Sequence, residues 1–196
     1  MRLILSAAAL LATTLLAGGC GSSSSNNAAT TTAPPPNVLP RATTADEWAS
    51  RVVNKVLRPL SKDLPVVSNF NTPTVRVYLA SRNQQTIDVI NKRMGDLAKC
   101  STRLEVIGPP PPGSAKLDQI NQHLKKACAA YEDVANKLLA ATELLSSGSK
   151  DDAAKGDDAL QEVRAPSSTG ARELTAGVKL AQGVPAFRRA GLQPSV

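Results

Sequence analysis

Three cysteines, a single histidine and two pairs of adjacent aspartates are the side chains of this 196-residue chain best suited to chemistry. His123 stands in "NQHLKK", and a hydrolytic Ser/His/Asp site would have to be built on it. No nucleophile elbow, zinc-binding HExxH or phosphate loop accompanies it, so it reads as a surface histidine on a polar helix face. Asp151 with Asp152 and Asp157 with Asp158 lack the alternating oxygen ligands and turn glycine of a calcium loop, and read as solvated acids. The chain is therefore expected not to be an enzyme, with no catalytic residue, no metal site and no cofactor.

The cysteines carry more. Cys20 closes "LLAGGC", after which the chain falls at once into Ser and Asn. Residues 1–19 follow the order of an export signal: an early cation at Arg2, an apolar run from Leu3 to Ala17, then small residues. That run is too short for a comfortable membrane span. Leu16, Ala17, Gly18, Gly19 and Cys20 resemble the lipobox of bacterial lipoproteins, with Ala17 at the position three before the cysteine where Leu is commoner. The resemblance implies cleavage before Cys20 and diacylation of its thiol, hence a lipid-anchored protein on the extracytoplasmic face of the cell membrane. The alternative is an ordinary secretory signal cleaved near Gly19. Three cysteines in an exported chain leave one over, and lipidation of Cys20 leaves Cys100 and Cys128 to pair as a structural disulfide.

Charge adds one further feature. The chain carries a formal +7 with a pI near 9.6. From Arg51 to Arg103 there are ten Lys or Arg against three Asp or Glu. Arg51, Lys55, Arg58 and Lys62 recur at intervals of four, three and four, which puts them on one face of a helix. A basic face of this kind is either solvated or in contact with anionic lipid, a wall polymer or an acidic protein partner. Nucleic acid is not expected as a partner, because aromatics make up 3% of the chain and offer almost no stacking platform.

The elements that position these residues read as helical. Residues 20–42, with Cys20 expected to be lipidated, are rich in Gly, Ser, Asn, Thr and Pro and hold few aliphatic residues, a composition expected to form a disordered stalk. A first helix over 45–62 opens on Thr44 and is expected to kink or stop early at Pro59. A second over 73–105 opens on Thr72 and Pro73, with a buried seam at Ile87, Ile90, Met94, Leu97, Ser101 and Leu104. The proline run at 109–112 stops it, and a third helix over 115–146 follows, capped by Ser114 and ended by Gly148. Weaker signals give helix over 151–164, a break near Pro166 and helix again over 170–183. Cys100 and Cys128 come level if the third helix starts beyond the end of the second by about 13 Å, an offset that the extended "GPPPPG" can span.

The expected fold is all-α: a small up-down bundle of about four helices with one interhelical disulfide, occupying residues 43–185, with a flexible tail at 186–196. In its Ala-rich helices and cysteine pair the chain is similar to uncharacterised small helical actinobacterial lipoproteins, a likeness that implies no activity. The function expected is non-enzymatic binding or interaction within the envelope. The alternative is a hydrophobic small-molecule or lipid-binding module with a cavity inside the bundle.

Overall fold

Side-chain caps set most of the helix starts. In the computed structural model, which describes residues 39–70 and 72–192, the Thr44 hydroxyl accepts from the Glu47 N–H at 3.2 Å. Thr72, Asn83, Ser114 and Ser149 do the same for the N–H groups of Val75, Thr86, Leu117 and Asp152. Each satisfies a donor that the first helical turn leaves without a backbone partner. The signal segment, Cys20, residues 20–38 of the expected stalk, and residues 193–196 lie outside the described residues.

All regular structure among the described residues is helical. In chain order it comprises α1 (Ala45–Val52), a π-helical turn (Val53–Leu57), α2 (Arg58–Asn69), α3 (Pro73–Ala80), α4 (Gln84–Leu97), α5 (Cys100–Ile107), α6 (Ala115–Ser146), α7 (Lys150–Glu162), α8 (Arg164–Gln182) and α9 (Pro185–Arg189).

α6 is the central rod. It packs against α3, α4, α5, α7 and α8, and its inner face, including Leu117, Ile120, Leu124, Cys128, Tyr131, Leu138 and Leu145, is buried. α7 and α8 return along it in the opposite direction, so that Gly156 meets Leu145, Gly170 meets Tyr131, and Gly177 meets His123 and Leu124. The approach is close at both Gly156 and Gly170, where a Cβ would lie 2.8 Å from the Leu145 side chain and 2.9 Å from the Tyr131 ring. Small residues here let the two rods pack with few voids.

Several expected boundaries move, each for a physical reason. The first helix does not stop at Pro59 but runs on through Pro65 to Asn69. In the π turn the Arg58 N–H bonds to the Val53 carbonyl, five residues back, and this wider turn directly precedes Pro59. The second helix is divided into α3, α4 and α5: Arg82 takes a left-handed conformation with φ 55° and Asn83 caps the fresh start of α4, while a turn at Ala98 and Lys99 separates α4 from α5. The break in the last long segment falls at Val163 and not near Pro166. Pro166 instead occupies the first turn of α8, where a missing N–H costs little.

The ends are also corrected. The expected tail from 186 contains α9, whose Ala186 and Phe187 are buried, because Phe187 meets Trp48 edge to face at a ring separation of 5.8 Å. The described end of the expected stalk is docked: Ala42 is buried, the Leu39 N–H donates to the Val106 carbonyl, and Arg41 donates to that of Pro110. The folded part thus includes Leu39 to Ala42, ahead of the expected start at 43.

One buried acid lies between elements. Asp63 on α2 is 3% exposed, and the Arg93 guanidinium of α4 stands 3.3 Å from its Oδ1. Burial raises the Asp63 pKa above the ordinary carboxylate value, and Arg93 only partly offsets this. The folded state therefore holds this proton more tightly than the unfolded chain, so Asp63 adds stability as pH falls through its folded pKa and loses it as pH rises. Asp63→Asn, which resembles the protonated acid, is expected to match or exceed wild-type stability at neutral pH to within about 1 kcal/mol. It should also remove part of the gain on mild acidification. Denaturant melts at two pH values check this; a neutral-pH loss of about 3 kcal/mol or more, as from a broken buried ion pair, would contradict it.

Candidate functional site

The residues singled out in the sequence divide into three groups. Cys20 lies outside the described residues. Cys100 and Cys128 form a disulfide with Cα atoms 5.0 Å apart, fastening the first turn of α5 to the middle of α6. Both are buried, which fits a structural clamp.

The four cations of the first helix are the third group. Arg51 is drawn inward, its side chain 17% exposed, donating to the Pro40 carbonyl and paired with Glu47. Glu47 in turn is held below its ordinary pKa, first by the Thr43 backbone N–H and then by Arg51. Arg58 is exposed and bonded to the Asn54 side-chain oxygen, and Lys62 is exposed. Lys55 faces Lys99 and Arg103 across a cleft instead of continuing a stripe from Arg51. The π turn explains the division: it adds a residue to one turn and so rotates the positions beyond it relative to Arg51.

His123 and the acids take structural places. His123 Nδ1 lies 2.9 Å from Glu173 Oε2, linking α6 to α8, and this hydrogen bond is the main cause lowering the Glu173 pKa. Asp151 and Asp152 open α7, where carboxylates favour the helix dipole, and Asp157 pairs with Arg76 of α3. Among the described residues no group of three or more His, Cys, Asp or Glu side chains could hold a metal ion, and no helix is long and apolar enough to cross a membrane.

An apolar surface groove of about 400 Å³ is bounded by α2, α3 and α4. Phe70 and Ile90, both buried, form its floor; Val66 and Val75 line it; Tyr78 and Val89 stand at its edge, 45% and 50% exposed. Its shape follows from local sequence. Thr72 and Pro73 start α3 directly after α2, and the Arg82–Asn83 turn sends the chain back as α4, leaving the short α3 as a wall. That wall is fixed from behind, since Arg76 pairs with Asp157 and Arg82 donates to the Ser147 carbonyl.

No charged side chain is among the residues that line the groove. It can bury apolar surface and orient a bound group through the amides of Asn69 and Gln85 and the hydroxyl of Thr86. Val77, 63% exposed on the outer side of α3, extends the apolar area beyond the groove. Sequence reasoning missed this site. The available signal was that Val75, Val77, Tyr78 and Val89 fall off the seam through Ile87, Ile90, Met94 and Leu97, leaving apolar side chains without an assigned partner.

No protein-family model matches the chain, and neither a curated protein nor a solved structure shows significant similarity to it.

Proposed function

We propose that the protein is a non-enzymatic binding protein of the cell envelope, held at the extracytoplasmic membrane face by a diacylated Cys20, that takes an apolar ligand of the acyl-chain type into the groove between α2, α3 and α4. The observation that carries this reading is the groove itself: an uncharged, partly open space of about 400 Å³ with a buried aromatic floor and exposed Tyr78 and Val89 at its edge. Its volume is within the range of about 300–1,000 Å³ usual for small-molecule sites. The ligand space is thus taken to be at the surface, not inside the bundle. In the same reading the helices form an elaborated up-down bundle of four rods, α1–α2, α3–α5, α6 and α7–α8, with the groove opening where the first two rods meet.

The test is a titration of the mature chain with monodecanoylglycerol, an uncharged single-chain lipid, read by methyl chemical shifts. Val66, Val75 and Val89 should move together while Val134, buried in α6, stays put. Val89→Lys places an ammonium at the groove edge and should weaken binding by about tenfold, near 1.4 kcal/mol. Its melting point should stay close to wild type, since exposed substitutions usually cost less than about 0.5 kcal/mol. Equal affinity in wild type and variant, or shifts spread evenly over the valines, would remove the groove as the site.

A further inference from the structure

A second cleft, of about 360 Å³, lies between the π turn with the start of α2 on one side and α5 on the other. Lys55, Lys99, Thr102 and Arg103 line it together with the apolar Pro59 and Val106. We propose that this cleft receives the phosphate of an anionic phospholipid headgroup and so holds the domain against the membrane with one defined face down. The proposal rests on the reading of the chain as membrane-anchored.

Three observations support it. First, the cations come from two elements well separated in sequence and converge with a hydroxyl, a donor set suited to a phosphate. Secondly, the cleft keeps an excess of positive charge. Asp96 stands 3.6 Å from both Lys99 and Arg103, Asp63 with its partner Arg93 also interacts with Arg103, and Lys55 has no ion-pair partner among the described residues, so cations still outnumber carboxylates here. Thirdly, Val106 lines the cleft and its carbonyl accepts the Leu39 N–H at 3.2 Å. The chain that leads back to Cys20 therefore leaves the described domain beside this cleft, and an anchor at Cys20 would draw this face towards the lipid first. Apolar Pro59 and Val106 suit the glycerol side of a headgroup, and a phosphate in contact with these cations lies well within the Debye length of about 8 Å at physiological salt.

The experiment uses the full lipid-bearing protein reconstituted into vesicles of phosphatidylcholine with or without phosphatidylglycerol, treated briefly with an amine-acetylating reagent and mapped by peptide mass. Lys55 and Lys99 should be labelled several-fold more slowly when phosphatidylglycerol is present, while Lys116 and Lys150, exposed on other elements, are labelled equally on both vesicles. High salt and the Arg103→Gln variant should each abolish the protection. Equal labelling of Lys55 and Lys99 on both vesicle types would overturn the proposal. Glycerol phosphate added to phosphatidylcholine vesicles should not protect; protection as strong as that from phosphatidylglycerol would make this a site for a soluble anion and would also overturn it. Flotation separates the two readings. Protein that floats with phosphatidylcholine but shows no protection on phosphatidylglycerol keeps its anchor and refutes the cleft. Protein that floats only with phosphatidylglycerol, with both lysines protected, supports the cleft and refutes the anchor.

Discussion

Replacing Phe187 by Ala is expected to lower the stability of the domain by about 3–5 kcal/mol, the usual cost of removing a buried aromatic side chain. Phe187 is 0% exposed and meets the equally buried Trp48 edge to face. Trp48 is itself held by a hydrogen bond from its indole N–H to the Gly108 carbonyl, so the pair ties α1 and α9 to the end of α5. Truncation would leave a void against an aromatic that cannot turn away without giving up that bond. At about 2–4 °C per kcal/mol for a chain of this size, the melting temperature should fall by roughly 10 °C, and the near-ultraviolet signal of Trp48 should lose intensity. Arg188→Ala, at the neighbouring exposed position, should change stability by less than about 0.5 kcal/mol. If the two variants melt alike, the C-terminal segment is not docked and the Trp48 contact is not formed.

The second large effect concerns the Cys100–Cys128 bridge, whose partners are 28 residues apart. For a loop of that length the chain-entropy model gives a stabilisation of roughly 3–4 kcal/mol, so the double variant Cys100→Ala with Cys128→Ala should lose about that much. Alanine is chosen because both sites are buried and a serine hydroxyl would add its own desolvation cost. The loop contains α5 and the proline segment Pro109–Pro112, and Gly108 and Gly113, at φ 76° and 95°, mark the turns at its ends. Loss of the bridge should therefore be felt first as faster amide exchange in α5 and only then in α6. Denaturant melts and exchange measured together check both parts. Unchanged stability, or protection lost evenly along the chain, would show that the bridge does not clamp α5.

How far the sequence discloses this molecule depends on whether a feature is local. α6 is legible to the residue, because Ser114 caps it, Gly148 follows its end at φ 82°, and an uninterrupted seam from Leu117 to Leu145 says which side is buried. The cysteine pair is legible from the odd count and from the reach of the proline linker. The π turn is not, since it relieves the conflict between Pro59 and a continuing helix in a way that residue spacing does not encode. It is also what removes Arg51 from the basic face. Phe187 is illegible because it sits among Gly, Pro and Arg in a segment with little periodicity, and its burial depends on Trp48, far away in sequence. The groove is of the same kind. Periodicity identifies what α4 presents to α6, but the space between α2 and α3 exists only once Arg82 turns left-handed and α3 becomes a separate short wall.

Binding of an acyl chain in that groove is tested most directly by photo-crosslinking. The full protein in membranes containing a phospholipid with a diazirine in its acyl chain would be irradiated, digested and mapped for adducts. The expected result is that adducts concentrate on peptides of α2, α3 and α4, at Val66, Tyr78 and Val89 above all, and fall sharply in the Val89→Lys variant. Adducts spread along α7 and α8 to the same extent, or absent from α2 to α4 while the anchor segment is labelled, would contradict the assignment of the groove as the binding site.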